Sequence, residues 1–311
     1  MFAAPPRIVA DVFARIPGEL GITGRHSHWA TIQFGGAETP TFLEGPSFDR
    51  AGNLWVVDIP WGRLLKITPA GEVSVGAEYD GEPNGLKFHQ DGRGFICDHK
   101  HGIMVFDPRN GVVEPFLVRT SLERFKGTND LVFARNGDMY FTDQGQTSLA
   151  DPTGRLYRLR AGSGRLECLL DNIPSPNGLV LNQAETVLFL AVTRANAIWK
   201  VALLDNGDIA KVGTYIQLSG GNGPDGLAID EDDNLAVCHV GFGAVWLFSA
   251  RGEPMLRIDA PAISGVVGLM TTNCAYGGPD NKTLYITESK TGTVLCAPMP
   301  VAGRAMFSHQ D

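Results

Sequence analysis

The chain has 311 residues, 43% hydrophobic and 19% charged, and 26 basic against 34 acidic side chains leave a net charge of −8. A mildly acidic chain without a Lys/Arg run lacks the phosphate-neutralising surface of a nucleic-acid binder. No apolar run approaches the roughly 18 residues of a membrane span. At the start, Met1 to Arg15 shows no charged-then-apolar leader, because Asp11 and Arg15 interrupt it. Five cysteines (Cys97, Cys168, Cys238, Cys274 and Cys296) contain no C-x-x-C pair. They read as reduced, mostly buried thiols of a cytoplasmic protein, not as a disulfide framework or zinc site.

Residues 16–43 form an insertion ahead of the first repeated unit, placed to act as a lid over one face. From there a phrase recurs: a polar residue, Gly or Asp, an apolar strand, a turn and a second strand ending in a polar residue. It opens at Glu44, Asn84, Asn129, Asn177, Asp225 and, more loosely, Asn273, at steps of 40, 45, 48, 48 and 48 residues. Such a period marks a repeat architecture. Gly52-Asn53, Asp91-Gly92 and Asn136-Gly137 sit between short β-branched and aromatic runs, where they predict hairpin turns. Arg63–Ile67, 154–159, 197–201 and 244–248 alternate as third strands, and a weaker fourth strand follows, for example around 166–170. No 12-residue stretch keeps a helical period. Four short strands repeated six times predict one all-β domain over residues 1–311, a six-bladed β-propeller with four-stranded blades. The Trp-Asp and double-Gly blade signatures are absent. Either 7–15 or 302–307 supplies the strand that closes blade six.

Antiparallel hairpins bring the end of each second strand back beside the start of the first. The openers therefore form an inner ring, and Asp58, Asp98, Asp143, Thr193, His239 and Glu288 a wider ring on the same face. Asn-Gly and Asp-Gly are also common turn pairs, which suits Asn84 and Asn273. Glu44-Gly-Pro has no such preference, and Asn129-Asp130 lacks the glycine. Oxygen donors with little His and no Cys suit a hard cation, Ca²⁺, Mg²⁺ or Mn²⁺. Glu44 and Asp225 would repel each other near an axis without a cation between them.

At these residues the chain resembles the SMP-30/gluconolactonase/LRE-like family of six-bladed propellers, from about Phe42 to Pro300. Glu44-Gly-Pro, Pro176-Asn-Gly-Leu and Pro224-Asp-Gly-Leu carry the resemblance, in that order and spacing. The resemblance implies lactone hydrolysis with a divalent cation, most often Ca²⁺ and in some members Zn²⁺ or Mn²⁺. It implies Glu44, Asn177 and Asp225 as metal ligands and Asn129 as a fourth inner residue contacting substrate or metal. Sugar-lactone members carry an arginine two residues before that Asn, whereas this chain has Gly127, which argues against a simple sugar lactone. Aromatic residues Trp29, Trp61, Phe125 and Phe242 are candidate linings for a more apolar substrate.

The expected reaction is metal-assisted lactone opening, in which the cation polarises the carbonyl and acidifies a water. Asp225 is the first candidate base and Asp143 the second. Asn84, Asn129, His99, His239, Arg194 and Trp61 are candidate substrate contacts. Gln144 and Gln146, beside Asp143, are further donors. His99, His101, His26 and His28 are alternatively plain surface residues. No Gly-x-Ser-x-Gly elbow occurs, and Ser219-Gly-Gly-Asn-Gly-Pro224 lacks the Lys-Ser/Thr of a phosphate loop. The partner expected is a small lactone, with the protein a monomer or small homo-oligomer. The alternatives are a non-catalytic, metal-stabilised propeller that binds a ligand or partner, and a related esterase or phosphotriesterase.

Overall fold

Six sheets, antiparallel but for one added outer strand, follow one another along the chain in a computed structural model that describes residues 3–262 and 265–310. Their innermost strands are Leu43–Phe48, Pro83–Phe88, Thr128–Phe133, Pro176–Leu181, Gly223–Ile229 and Thr271–Gly277. Each inner strand packs against the next, and the sixth returns to the first, so the sheets close a ring around a channel. The fold is a six-bladed β-propeller. Among the described residues no helix is long and apolar enough to cross a membrane.

Alternation along each strand sends apolar side chains to both faces of every blade, and six buried clusters fill the six clefts between neighbours. Val57, Leu64, Leu86 and Ile96 join blades one and two, and Leu43, Val56, Ala275 and Val294 join blade six back to blade one. The N-terminus makes the closure. Asp11–Arg15 pairs antiparallel with Thr293–Pro298 as the outer strand of blade six. Arg7–Val9 runs parallel to Pro254–Asp259, giving blade five a fifth strand. Residues 302–307 form no blade strand. They lie across the far end of the channel, where Arg304 Nη1 donates to the Leu181 carbonyl at 3.1 Å and Phe307 stacks on Phe133 at 5.2 Å.

The hairpin turns differ for a physical reason. Gly52, Gly92 and Gly137 take positive φ at no steric cost, while Glu185 and Asp233 adopt it in blades four and five. Tertiary bonds hold these two: Glu185 pairs with Arg304, and Asp233 Oδ1 accepts from the Gln183 amide at 2.7 Å. All five cysteines are free, with Cys97, Cys238 and Cys274 buried, Cys296 half-buried and Cys168 exposed.

The Asn-Gly and Asp-Gly pairs at the openers are not turns. Asn84-Gly85, Asn177-Gly178 and Asp225-Gly226 lie inside inner strands. A Cβ on Gly85 would stand 2.6 Å from Asp130 Oδ1, one on Gly178 2.6 Å from the Asp225 carbonyl, and one on Gly226 2.1 Å from Asn273 Oδ1. Glycine here sets how closely successive blades approach at the axis. All six inner strands also shift register at their opener. A bulge re-aims a side chain, and here it turns the openers toward the channel.

The wider ring of carboxylates is turned into the protein instead. Asp58 accepts from the Phe42 amide at 2.7 Å and pairs with buried Arg63. Asp98 accepts from Tyr79 Oη at 2.7 Å and the Glu82 amide at 2.9 Å, and Glu288 from the Met270 amide at 2.8 Å. These groups staple the loops that lead into the inner strands. Breaking a buried pair leaves an uncompensated charge. Asp58→Ala should therefore lose about 3 kcal/mol in urea unfolding, with divalent-ion binding by titration calorimetry unchanged.

Candidate active site

On the opener face a cavity of about 530 Å³ takes Glu44, Asn84, His99, Asn129, Asn177, Arg194 and Asp225 into one wall. Trp29, Gln144 and Gln146 line it as well, whereas the other candidates point elsewhere. Trp61 Nε1 donates to the Pro40 carbonyl at 3.0 Å, with Arg25 over its ring. His239 is buried, with Nε2 3.1 Å from the Gly220 carbonyl and its ring against Phe242. Asp143 is buried and accepts from the Gly127 amide at 2.8 Å. Phe125 packs on Phe141 and Tyr157, and His101 Nε2 meets the Asp80 carbonyl at 2.6 Å. None of these lines the cavity.

The floor is electrostatically strained. Glu44 Oε2 accepts from the Gly45 amide at 2.9 Å and from Asn273 Nδ2 at 2.9 Å. Burial outweighs those bonds and pushes the Glu44 carboxyl up to about 7, with the Asp130 charge adding to the rise. Burial also raises Asp225 well above the carboxylate range, reinforced by the charges of Glu44 and Asp130 and only partly offset by a hydrogen bond from Asn177. Asp130 is itself buried and raised, and Asn273 Nδ2 reaches it at 3.5 Å. Three carboxyl groups thus share the hub. Asp130 is the member that sequence reasoning passed over, although the missing glycine after Asn129 was its signal.

Asn129 is held for a purpose its neighbours reveal. Its Nδ2 donates to Gln144 Oε1 at 3.1 Å, and Gln144 Nε2 donates onward to Ser175 Oγ at 3.0 Å. Its Oδ1 is buried without any protein partner, an unsatisfied acceptor of the kind a bound ion or water would satisfy. Among the described residues no three His, Cys, Asp or Glu side chains form a metal cluster by themselves. The oxygen donors available along this wall are mixed: the carboxylates of Glu44 and Asp225 and the amide oxygens of Asn129 and Asn177. Hard oxygen donors with two charges fit a divalent cation of the Ca²⁺ type.

Opposite this polar floor stands an apolar wall from the 16–43 segment. The helix His28–Phe34 starts at Ser27, whose Oγ accepts from the Ala30 amide at 3.3 Å, and ends at left-handed Gly35. Trp29 packs against Phe34 at 5.4 Å and Phe42 at 4.8 Å, and all three line the cavity with Ile59 and Met270. His99 borders the polar side, and burial lowers its pKa. A Cβ on Gly127 would fall 2.3 Å from the His99 ring, so the imidazole occupies the space a side chain at 127 would take.

Residues 42–290 match the SMP-30/Gluconolactonase/LRE-like region. The lactonase drp35 of Staphylococcus aureus (strain MW2) is 33% identical over 262 residues, covering 79% of this chain and 78% of the relative. Its counterpart from Staphylococcus epidermidis (strain ATCC 12228) is 32% identical over 258 residues, with 79% and 78% covered. Among solved structures, a calcium-binding regucalcin from Agrobacterium tumefaciens superposes with a TM-score of 0.77 at 20% identity, covering all of both chains. A gluconolactonase from Xanthomonas campestris gives 0.73 at 23% identity, over 92% of this chain and 98% of that one. These two likenesses speak to the fold. Blade order, opener spacing and sequence similarity together establish that the chain belongs to the SMP-30/gluconolactonase/LRE-like family.

Proposed function

We propose that the protein is a lactonase, opening a cyclic ester with water at the Glu44–Asp225 hub. The observation that carries this reading is a pair of mutually repelling carboxyls, Glu44 buried and Asp225 half-buried, lining one cavity beside the orphaned Asn129 oxygen. Curated relatives about one third identical are named lactonases, which supports the same reaction class. Glu44, Asn129, Asn177 and Asp225 are the residues that would hold a divalent cation, most simply Ca²⁺, with Mg²⁺, Mn²⁺ or Zn²⁺ as alternatives. Such an ion supplies Lewis-acid polarisation of a carbonyl and acidification of water when bound.

The side chains then divide the work. Gln144 accepts from Asn129 Nδ2 and so leaves Oδ1 as the free acceptor of that amide. Asp225 takes a proton from the attacking water at a carboxylate oxygen and returns it to the ring oxygen as the acyl C–O bond breaks. Asp143 is bonded to the Gly127 amide away from the cavity and holds the loop before Asn129. Asn84 and Arg194 contact the polar edge of the substrate. Trp29, Phe34 and Phe42 cover its apolar part and keep bulk water out, so the 16–43 segment acts as a lid. With His99 filling the space beside Gly127, a substrate less hydroxylated than a sugar lactone fits the cavity.

A panel of lactones assayed with and without EDTA tests the reading: turnover should vanish on chelation and return with Ca²⁺. Metal-dependent melting without turnover of any lactone would instead favour a binding scaffold. Asp225→Asn should lower kcat by roughly 100-fold or more and weaken Ca²⁺ binding in calorimetry; near wild-type values for both would remove Asp225 from its role.

The raised Glu44 carboxyl also sets a pH signature. Its pKa is about 7 in the folded, ion-free chain against an ordinary 4.5, so the folded state holds more protons through that window. The stabilising effect of that proton is complete below 4.5 and is lost as pH rises through 7. Melting of the chelated protein should therefore fall between pH 5 and 8, as followed by calorimetry. Glu44→Gln should flatten that slope.

A further inference from the structure

Below the hub, between it and the C-terminal tail, lies a second cavity of about 110 Å³ lined by Ser47, Lys87, Phe88 and Tyr276. Two cations line this mainly apolar lumen: Arg304 is paired with Glu185, whereas half-buried Lys87 forms no ion pair with any described residue. Its place follows from the strand. Gly85 and Lys87 of Pro83–Phe88 share a face by alternation, and Gly85 is the residue pressed against Asp130. Lys87 therefore emerges one step deeper on the same side of the channel. Its positive charge lowers the pKa of both Glu44 and Asp130, against the burial that raises them. On the opener side, Arg194 is exposed at the cavity mouth, where water and salt screen it.

We infer that Lys87 is a fixed counter-charge that matches the hub to a divalent ion. When ionised around a cation, Glu44, Asp130 and Asp225 carry three negative charges, and one dication plus one ammonium group neutralises them. Without Lys87 the same hub would be one unit too negative and would favour a trivalent ion. The inference rests on the proposed cation site, for which the buried, unpartnered Asn129 Oδ1 is the independent pointer. Lys87 touches no substrate in this arrangement; it acts through the field on the ion and its carboxylates, as a positioning charge.

The test is ion binding to the full chain, read by calorimetry for Ca²⁺ and by luminescence for Tb³⁺, with Lys87→Met, Lys87→Gln and Lys87→Arg. Coulomb attraction scales with ion charge. The neutral variants should bind Ca²⁺ about tenfold more tightly and Tb³⁺ about thirtyfold more tightly, with Lys87→Arg close to wild type. A neutral variant that folds only once Ca²⁺ is added would also support the inference. Unchanged affinities in both neutral variants would overturn it, as would equal gains in Lys87→Arg, which would mark a packing effect. Wild-type protein that binds neither ion would overturn both this inference and the metal part of the proposed function. Ca²⁺ binding with no lactone turnover would defeat only the lactonase reading.

Discussion

Like charges forced together away from water govern this molecule. Six bulged inner strands and the glycines that follow their openers bring the blades so close at the axis that Glu44, Asp130 and Asp225 cannot avoid one another. In a low-dielectric hub such a cluster is costly unless protons or a cation compensate it. The cost is borne by the six apolar clefts between the blades, and it leaves the hub ready to accept positive charge. Sites that sacrifice stability for a ligand are a recurrent signature of function.

Function then follows from asymmetry around that hub. The polar side is a chain of amides and hydroxyls, Asn129 to Gln144 to Ser175, each fixing the next. Facing it is an aromatic wall contributed by a segment that belongs to no blade, with Trp29 and Phe34 on one short helix. Gly127 links the two aspects: the absent side chain lets His99 sit at the cavity edge.

Much of this was legible in the residues. The steady spacing of Glu44, Asn84, Asn129, Asn177 and Asp225 specified six blades, because a strand period and a repeat period together leave few architectures. It also placed the openers in one wall, since antiparallel hairpins fix which ends share a face. What the pattern could not convey was side-chain direction. Asp143 and His239 occupy equivalent strand ends to Asp58, and at those ends loop amides and carbonyls are nearer than the cavity, so the side chains turn inward to them. Trp61 is drawn away by the Pro40 carbonyl and Arg25, contacts made by a long insertion with no periodicity to read. The glycines after the openers looked like turn residues because composition alone does not separate a turn from a close approach. Closure by Asp11–Arg15 was undecidable between the termini, since both carry short apolar runs.

The most direct measurement is an anomalous difference map from crystals soaked in Mn²⁺. The account predicts one strong peak bounded by Glu44, Asn129, Asn177 and Asp225, with the Asn129 Oδ1 atom turned to it. No peak there, or a peak on the outer faces of the blades alone, would contradict a cation-centred hub.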